Sequence, residues 1–206
     1  MNTIIFDIGN VLVDFDWPSF VKRTVQDEEA IRLLNKVFWE DELWKEMDRG
    51  AFAEETVHRE LVDACKGYEA IAEEVYDRLG ETLELFPYTE DWIRELKQKG
   101  YRVLYLSNYS HYLIRKKPEA LVFTRLMDGG IYSCDVKLLK PDLQIYDRLA
   151  KAYDLEPSKC LFLDDRFINV AGAREYGFYA MQFTTYQEMK PKIDAFLAEH
   201  LPPDEG

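Results

Sequence analysis

Residues 3–13 read Thr3-Ile4-Ile5-Phe6-Asp7-Ile8-Gly9-Asn10-Val11-Leu12-Val13. A short β-branched and aromatic run stops at one carboxylate and passes into a glycine and an asparagine, residues that suit a turn. The run does not alternate with polar residues, which is the pattern of a strand covered on both faces. The same form recurs three times. Residues 101–106 run into Ser107-Asn108, residues 159–163 into Asp164-Asp165, and residues 179–183 into Thr184-Thr185. Helical patterns lie between them. Short buried strands alternating with helices predict an α/β fold: a Rossmann-like three-layer core around a parallel sheet.

The helices are punctuated. Thr89 reads as an N-cap, Glu90 and Asp91 suit the positive helix end, and Gly100 reads as the stop. Pro141 opens a helix through Ile145, Leu149 and Tyr153; another runs from Asn169 to Tyr176 and ends at Gly177; the last covers residues 187–200. The tail Asp204-Glu205-Gly206 is expected to fray. Residues 16–85 differ. They carry helical spacing throughout (Phe20/Val21/Val25, Ile31/Leu34/Val37/Phe38, Val57/Leu61/Cys65, Ile71/Val75/Leu79) and no strand-like run. They read as an all-helical insertion, with 1–15 and 86–206 forming the core. Phe38, Trp39 and Trp44 are expected to be core between those helices; the turn Asp48-Arg49-Gly50 lies where a loop of the insertion could reach the strand ends, with Arg49 still read as a solvated residue.

Composition bounds the function. The chain has 206 residues, 26 Lys+Arg against 39 Asp+Glu, and a formal net charge of −13. An acidic balance argues against a nucleic-acid track or an anionic membrane surface. At 47% hydrophobic and 14% aromatic the chain can bury a sizeable core. No apolar run approaches the roughly 18–20 residues that span a bilayer. The start shows no basic n-region, so no secretory signal is expected. Cys65, Cys134 and Cys160 are too scattered for a disulfide framework or a zinc site, and His58, His111 and His200 show no ligand spacing. A monomer in a reducing cytoplasm is the expectation.

In open α/β sheets, ligands bind beyond the carboxyl ends of the strands. Three strand ends and one loop supply a coherent set: Asp7; Ser107 and Asn108; Lys140 before Pro141; and Asp164-Asp165. Clustered carboxylates repel unless a cation joins them, and hard oxygen ligands select Mg²⁺, which accepts phosphate oxygens as further ligands. A lysine and a hydroxyl near a helix start suit a phosphate dianion. An aspartate carboxylate can attack phosphorus and form an aspartyl-phosphate that water cleaves. Taken singly, each piece has a plainer reading. Asp7 and Asp164-Asp165 can be caps, Ser107-Asn108 a turn, and Lys140 a solvated lysine.

Four ordered segments carry a family resemblance over nearly the whole chain: Phe6-Asp7-Ile8-Gly9-Asn10-Val11; Leu106-Ser107-Asn108; Lys140-Pro141-Asp142 with Ile145-Tyr146; and Leu163-Asp164-Asp165 with Asn169. The chain resembles the haloacid dehalogenase-like hydrolase superfamily. Its first motif looks most like that of the subgroup with glucose-1-phosphate phosphatases and the N-terminal domain of soluble epoxide hydrolases. The resemblance implies a helical cap after the first strand and Mg²⁺-dependent hydrolysis of a small phosphorylated metabolite, with a sugar phosphate such as glucose 1-phosphate preferred. It implies Asp7 as nucleophile and metal ligand, the Gly9 carbonyl on the metal, and Ser107 and Asn108 on the phosphoryl oxygens. Lys140 would neutralise charge, and Asp165 would hold the metal, with Asp164 adjacent or bound to it through water. One departure stands out. Many relatives carry a second aspartate, the general acid, two residues after the nucleophile; here Gly9 stands there. Asp14, a cap residue or a water are the candidate substitutes. The other readings are a 2-haloacid dehalogenase, a phosphomutase, and a catalytically weak binding protein.

Overall fold

The computed structural model describes residues 1–40 and 42–203, so the tail Asp204-Glu205-Gly206 lies outside the described residues. Strand β1 (Thr3–Phe6) is followed by the short β2 (Val13–Phe15). Helices α1 (Trp17–Thr24), α2 (Glu28–Leu34), α3 (Glu42–Arg49), α4 (Glu54–Ala64) and α5 (Glu69–Asp77) come next, with a π-helical stretch at Asn35–Glu40. The chain then forms β3 (Leu83–Leu85), α6 (Thr89–Gln98), β4 (Arg102–Ser107), α7 (His111–Lys116), β5 (Gly129–Tyr132) and α8 (Ser133–Val136). It ends with α9 (Leu143–Tyr153), β6 (Cys160–Asp164), α10 (Phe167–Tyr176), β7 (Tyr179–Gln182) and α11 (Tyr186–His200).

Five parallel strands form one sheet in the order β5-β4-β1-β6-β7. β1 is central, and its four residues are all buried. Its side chains point alternately to two cores, as strand geometry requires. Ile4 and Phe6 join a core with Trp92 and Ile93 of α6 and Ile193 and Leu197 of α11. Ile5 joins Ile145 and Leu149 of α9 and Val170 of α10 on the other face. Helices on both faces make three layers. The buried apolar side chains of β1, Ile4, Ile5 and Phe6, each contribute about 1.5–3 kcal/mol.

β2 and β3 pair antiparallel, Val13 with Leu85 and Phe15 with Leu83. This two-stranded stem is where the helices of residues 16–85 leave and rejoin the rest of the chain. β3 therefore corrects the expectation that this stretch lacks a strand; three residues are too few to show an alternation. α7 ties back to the same helices. Tyr112 Oη donates to the Tyr76 carbonyl at 2.7 Å, Arg115 pairs with Glu54, and Lys116 pairs with Asp77 at 3.2 Å.

Two further readings change. Thr89 is the first residue of α6 rather than its cap, and its hydroxyl donates to the Leu12 carbonyl at 2.6 Å. α9 begins at Leu143, two residues after Pro141. The stops at Gly100 and Gly177 hold, both at positive φ. β5 gave no sequence signal because it opens with Gly129-Gly130. A Cβ on Gly130 would lie 2.3 Å from the Tyr105 ring, so the close pairing of β5 with β4 demands a residue of low strand propensity.

Candidate active site

The order of the sheet converges the site. β4 and β6 flank β1 in parallel register, with Phe6 opposite both Tyr105 and Leu163. Asp7, Ser107 and Asp164 consequently emerge side by side at the carboxyl ends, where the chain order changes direction and crevices form. Directly after Asp7 the chain turns sharply: the Ile8 carbonyl accepts N–H groups of Leu12 and Val13 at 2.9 and 3.0 Å. Asn10 sits in this turn at φ 57, a conformation asparagine tolerates. Its amide donates to Asp165 Oδ2 at 3.0 Å, and its Oδ1 accepts the Phe15 N–H at 3.2 Å.

Asp7 is 7% exposed. Its Oδ1 accepts from its neighbour Ile8 N–H at 2.7 Å, from Ser107 Oγ at 2.7 Å, and from Lys140 Nζ at 2.9 Å. No described residue donates to its Oδ2. Lys140, a buried ammonium, reaches Asp164 Oδ2 as well, at 2.6 Å. Asp164 is fully saturated, since its Oδ1 also accepts the Arg166 N–H at 2.8 Å and the Asn169 amide at 3.0 Å. Asn108 pairs with both backbone groups of Lys140: Oδ1 accepts its N–H at 2.9 Å and Nδ2 donates to its carbonyl at 3.1 Å.

Carboxylate oxygens of Asp7, Asp164 and Asp165 lie within 4.8 Å of one another. One ammonium among three carboxylates leaves uncompensated negative charge. Burial lifts Asp7 to about 7 even though Lys140 opposes the shift, with Asp164 and Asp165 adding to it. Asp165 is raised as well, chiefly by burial, with the Asn10 hydrogen bond working against it. Lys140 is raised because Asp164 and Asp7 outweigh the burial of its charge. The donor set fits a hard divalent cation. The buried Asn169 Oδ1, which has no partner and belongs to a residue on the cavity wall, adds one more oxygen.

A cavity of about 600 Å³ opens above this floor. Asp7, Gly9, Ser107, Asn108, Lys140 and Asp165 line it, so six of the eight site residues expected from the sequence come together there. Asp164 lies beneath, 0% exposed. Asp14 is not on the cavity wall; it faces Glu84 and Asp16 at the β2–β3 stem. The far wall comes from residues 16–85. Phe15 stacks on Trp39 with ring centroids 5.6 Å apart, and Trp44 stands 6.4 Å from Phe15. Phe38 is core as expected, but Trp39 is 49% exposed on the wall, and Arg49 lines it while paired with Glu46 at 3.1 Å.

Sequence reasoning passed over Asn10, Asp48, Tyr109 and Arg166, which also line the cavity. Asn10, Tyr109 and Arg166 each lie in or directly after a motif and could have been found from it, and Asp48 belongs to the turn Asp48-Arg49-Gly50, expected to come within reach of the site though no role was read for Asp48 itself. Away from the cavity, His111, Cys134 and Asp135 bring potential ligand atoms within 4.8 Å, a grouping made by the fold from residues that show no ligand spacing. Among the described residues, no helix is long and apolar enough to cross a membrane.

Comparison with known proteins finds relatives over most of the chain. The chain is 26% identical to a sesquiterpene phosphatase, astK, of Aspergillus oryzae over 87% of its own length and 88% of the relative's. It is 28% identical to a D-ribitol-5-phosphate phosphatase of Bacteroides thetaiotaomicron, over 88% and 91% respectively. A crystal structure of the HAD family enzyme bt-2542 from Bacteroides thetaiotaomicron, in complex with magnesium and inorganic phosphate, shares the fold with a TM-score of 0.67. It is 19% identical, and the match covers 89% of this chain and 94% of that one. The family model for haloacid dehalogenase-like hydrolases matches residues 1–177, and the chain belongs to that family of hydrolases.

Proposed function

We propose that the protein is a Mg²⁺-dependent phosphatase that hydrolyses a small phosphomonoester through an aspartyl-phosphate on Asp7. The observation that carries this reading is the buried Asp7–Lys140–Asp164 arrangement with Asp165 beside it, an acidic floor with a single ammonium. Carbon–halogen displacement needs no such excess of carboxylates, which argues against a dehalogenase. The two phosphatase relatives support the same choice.

Asp7, Asp165 and the Gly9 carbonyl would hold the cation, with Asp164 orienting Lys140 from below. When bound, a divalent cation supplies charge neutralisation that lets a phosphate dianion approach a carboxylate. The chain's own groups do the rest. Ser107, Lys140 and the Ile8 N–H fix Oδ1 of Asp7 and leave Oδ2 facing incoming phosphorus. Ser107 and Lys140 then transfer part of their hydrogen bonding to the phosphoryl oxygens, the role proposed for Asn108 too. With its side chain on the Lys140 backbone, Asn108 acts mainly by holding that lysine.

Residues 16–85 would serve as the cap that excludes water and selects the leaving group. Trp39, Trp44 and Phe15 offer aromatic faces, while Arg49 and Asn10 offer polar groups on the same cavity. That mixture suits the C–H faces and hydroxyls of a sugar or polyol phosphate, of which glucose 1-phosphate is one candidate, handled by a monomer in the cytoplasm. The test is phosphate release from a panel of sugar, polyol and terpenyl phosphates with and without Mg²⁺. Sugar or polyol esters should be turned over, and EDTA should abolish the activity. Release that ignores EDTA, or is confined to terpenyl esters, would overturn the reading or its substrate class.

A further inference from the structure

We propose that Asp48, at the end of α3, is the proton donor to the departing alkoxide and the base for the attacking water, in place of the acid that Gly9 cannot supply. This rests on the phosphatase reading above.

Asp48 lines the same cavity as Asp7, Ser107 and Lys140. The three floor carboxylates each accept hydrogen bonds, whereas the Asp48 carboxylate has no hydrogen bond or ion pair among the described residues. Its backbone is held firmly all the same. Ser133 Oγ donates to the Asp48 carbonyl at 2.5 Å. Two residues on, Gly50 turns at φ +64, where a Cβ would meet the Cys134 carbonyl oxygen at 2.9 Å, so the end of α3 seats directly on α8. An anchored backbone with a free carboxyl group over the reaction floor is the arrangement a substrate-facing group needs.

A second orphan stands beside it. Tyr109, 4% exposed, lines the cavity, and its buried hydroxyl has no partner. Buried hydroxyls rarely go unpaired, and this one belongs to a residue of the cavity wall on which the charge of Asp48 acts. The groups whose charges reach Asp48 are Asp7 and Lys140 from the floor, Arg166 after β6, Tyr109 after β4, and Cys134 of α8. Burial and then Asp7 push Asp48 up to about 7, against Arg166 and Lys140. A carboxyl group poised near neutrality can both give and take a proton. Asp14 is not on this wall, and among the described residues of 16–85 Asp48 is the one carboxyl group on the cavity lining.

The steps balance. Asp7 Oδ2 forms a bond to phosphorus as the ester P–O bond breaks, and the leaving alkoxide takes the Asp48 proton to depart as the alcohol. Water then attacks phosphorus and gives its proton to the Asp48 carboxylate while the Asp7–phosphorus bond breaks. Phosphate leaves, and both carboxyl groups return to their starting forms.

Asp48→Asn and Asp48→Ser should be compared with wild type on a sugar phosphate that wild type turns over and on p-nitrophenyl phosphate, whose phenolate leaves without a proton. Sugar-phosphate turnover should fall by about 10²–10⁴-fold. The aryl ester should still give a stoichiometric burst of nitrophenolate, then slow turnover with phosphoryl retained on Asp7. Unchanged sugar-phosphate turnover, or loss of the burst in both variants despite native circular dichroism, would overturn the assignment. Failure of the phosphatase reading looks different: wild type itself would show neither burst nor turnover.

Discussion

The side chain of Asn108 grips the backbone of Lys140 at both ends, accepting its N–H at 2.9 Å and donating to its carbonyl at 3.1 Å. A lysine that must place one ammonium between Asp7 and Asp164 is thereby fixed at its root as well as its tip. Asn108→Ala should cost about 1–3 kcal/mol by stranding a backbone donor and acceptor. It should also lower kcat more than it raises KM, because the ammonium loses its position. Denaturant unfolding and steady-state kinetics check both. An unchanged kcat would separate Asn108 from Lys140.

Asp7 and Asp48 make the metal-free protein sensitive to pH in a defined direction. Both are lifted from 3.8 to about 7 in the folded chain, by burial first. Between those values the folded chain binds more protons than the unfolded one, so their contribution is complete below the lower value and disappears as pH rises through the higher. The stability difference between wild type and Asp48→Asn should therefore move against wild type from about pH 5 to about pH 8. A cation competes with the proton on Asp7, so the Tm increase caused by Mg²⁺ should be larger at about pH 8 than at about pH 5. Melting curves at the two pH values, with and without Mg²⁺, test both statements.

Trp39 stacks on Phe15 with nearly half its surface exposed on the cavity wall. Trp39→Ala should leave folding almost untouched. It should raise KM for the preferred ester by about tenfold, the worth of one aromatic contact of about 1.4 kcal/mol, with a smaller effect on kcat. Equal KM values in variant and wild type would remove this wall from substrate recognition.

Gly9 is open: a Cβ there would meet no atom within 4 Å. Gly9→Asp is sterically admitted but adds a carboxylate to an acidic floor, so it should destabilise the metal-free protein more at about pH 8 than at about pH 5, and less when Mg²⁺ is present. Introduced into the Asp48→Asn variant, it should restore part of the sugar-phosphate turnover. Rate measurements on the double variant decide this, and no recovery would show that position 9 cannot reach the leaving oxygen.

Most of the floor was legible in the sequence because it sits at strand ends. A buried strand announces itself as a short apolar run, and the parallel register then converts four separated motifs into one site. The wall was not legible. Phe38 and Trp39 are successive residues of the π-helical stretch, yet Phe38 stacks on buried Trp17 in the core and Trp39 on Phe15 at the cavity, a division that the sequence pattern does not show. The turn Asp48-Arg49-Gly50 reads as within reach of the site, but nothing in the sequence gives Asp48 a role apart from the other acidic residues among 39. Only its position over Asp7 and its lack of partners distinguish it. β5 was hidden because tight packing on Tyr105 and Tyr153 requires glycines that carry no strand signal.

Phosphoryl transfer to Asp7 is tested most directly by rapid quench of the protein with p-nitrophenyl phosphate and Mg²⁺, followed by peptide mass mapping. A phosphorylated peptide containing Asp7, formed as nitrophenolate appears and absent in EDTA and in Asp7→Asn, is the predicted result. Phosphate release that continues in Asp7→Asn, or a phosphoryl group found on a different residue, would contradict it.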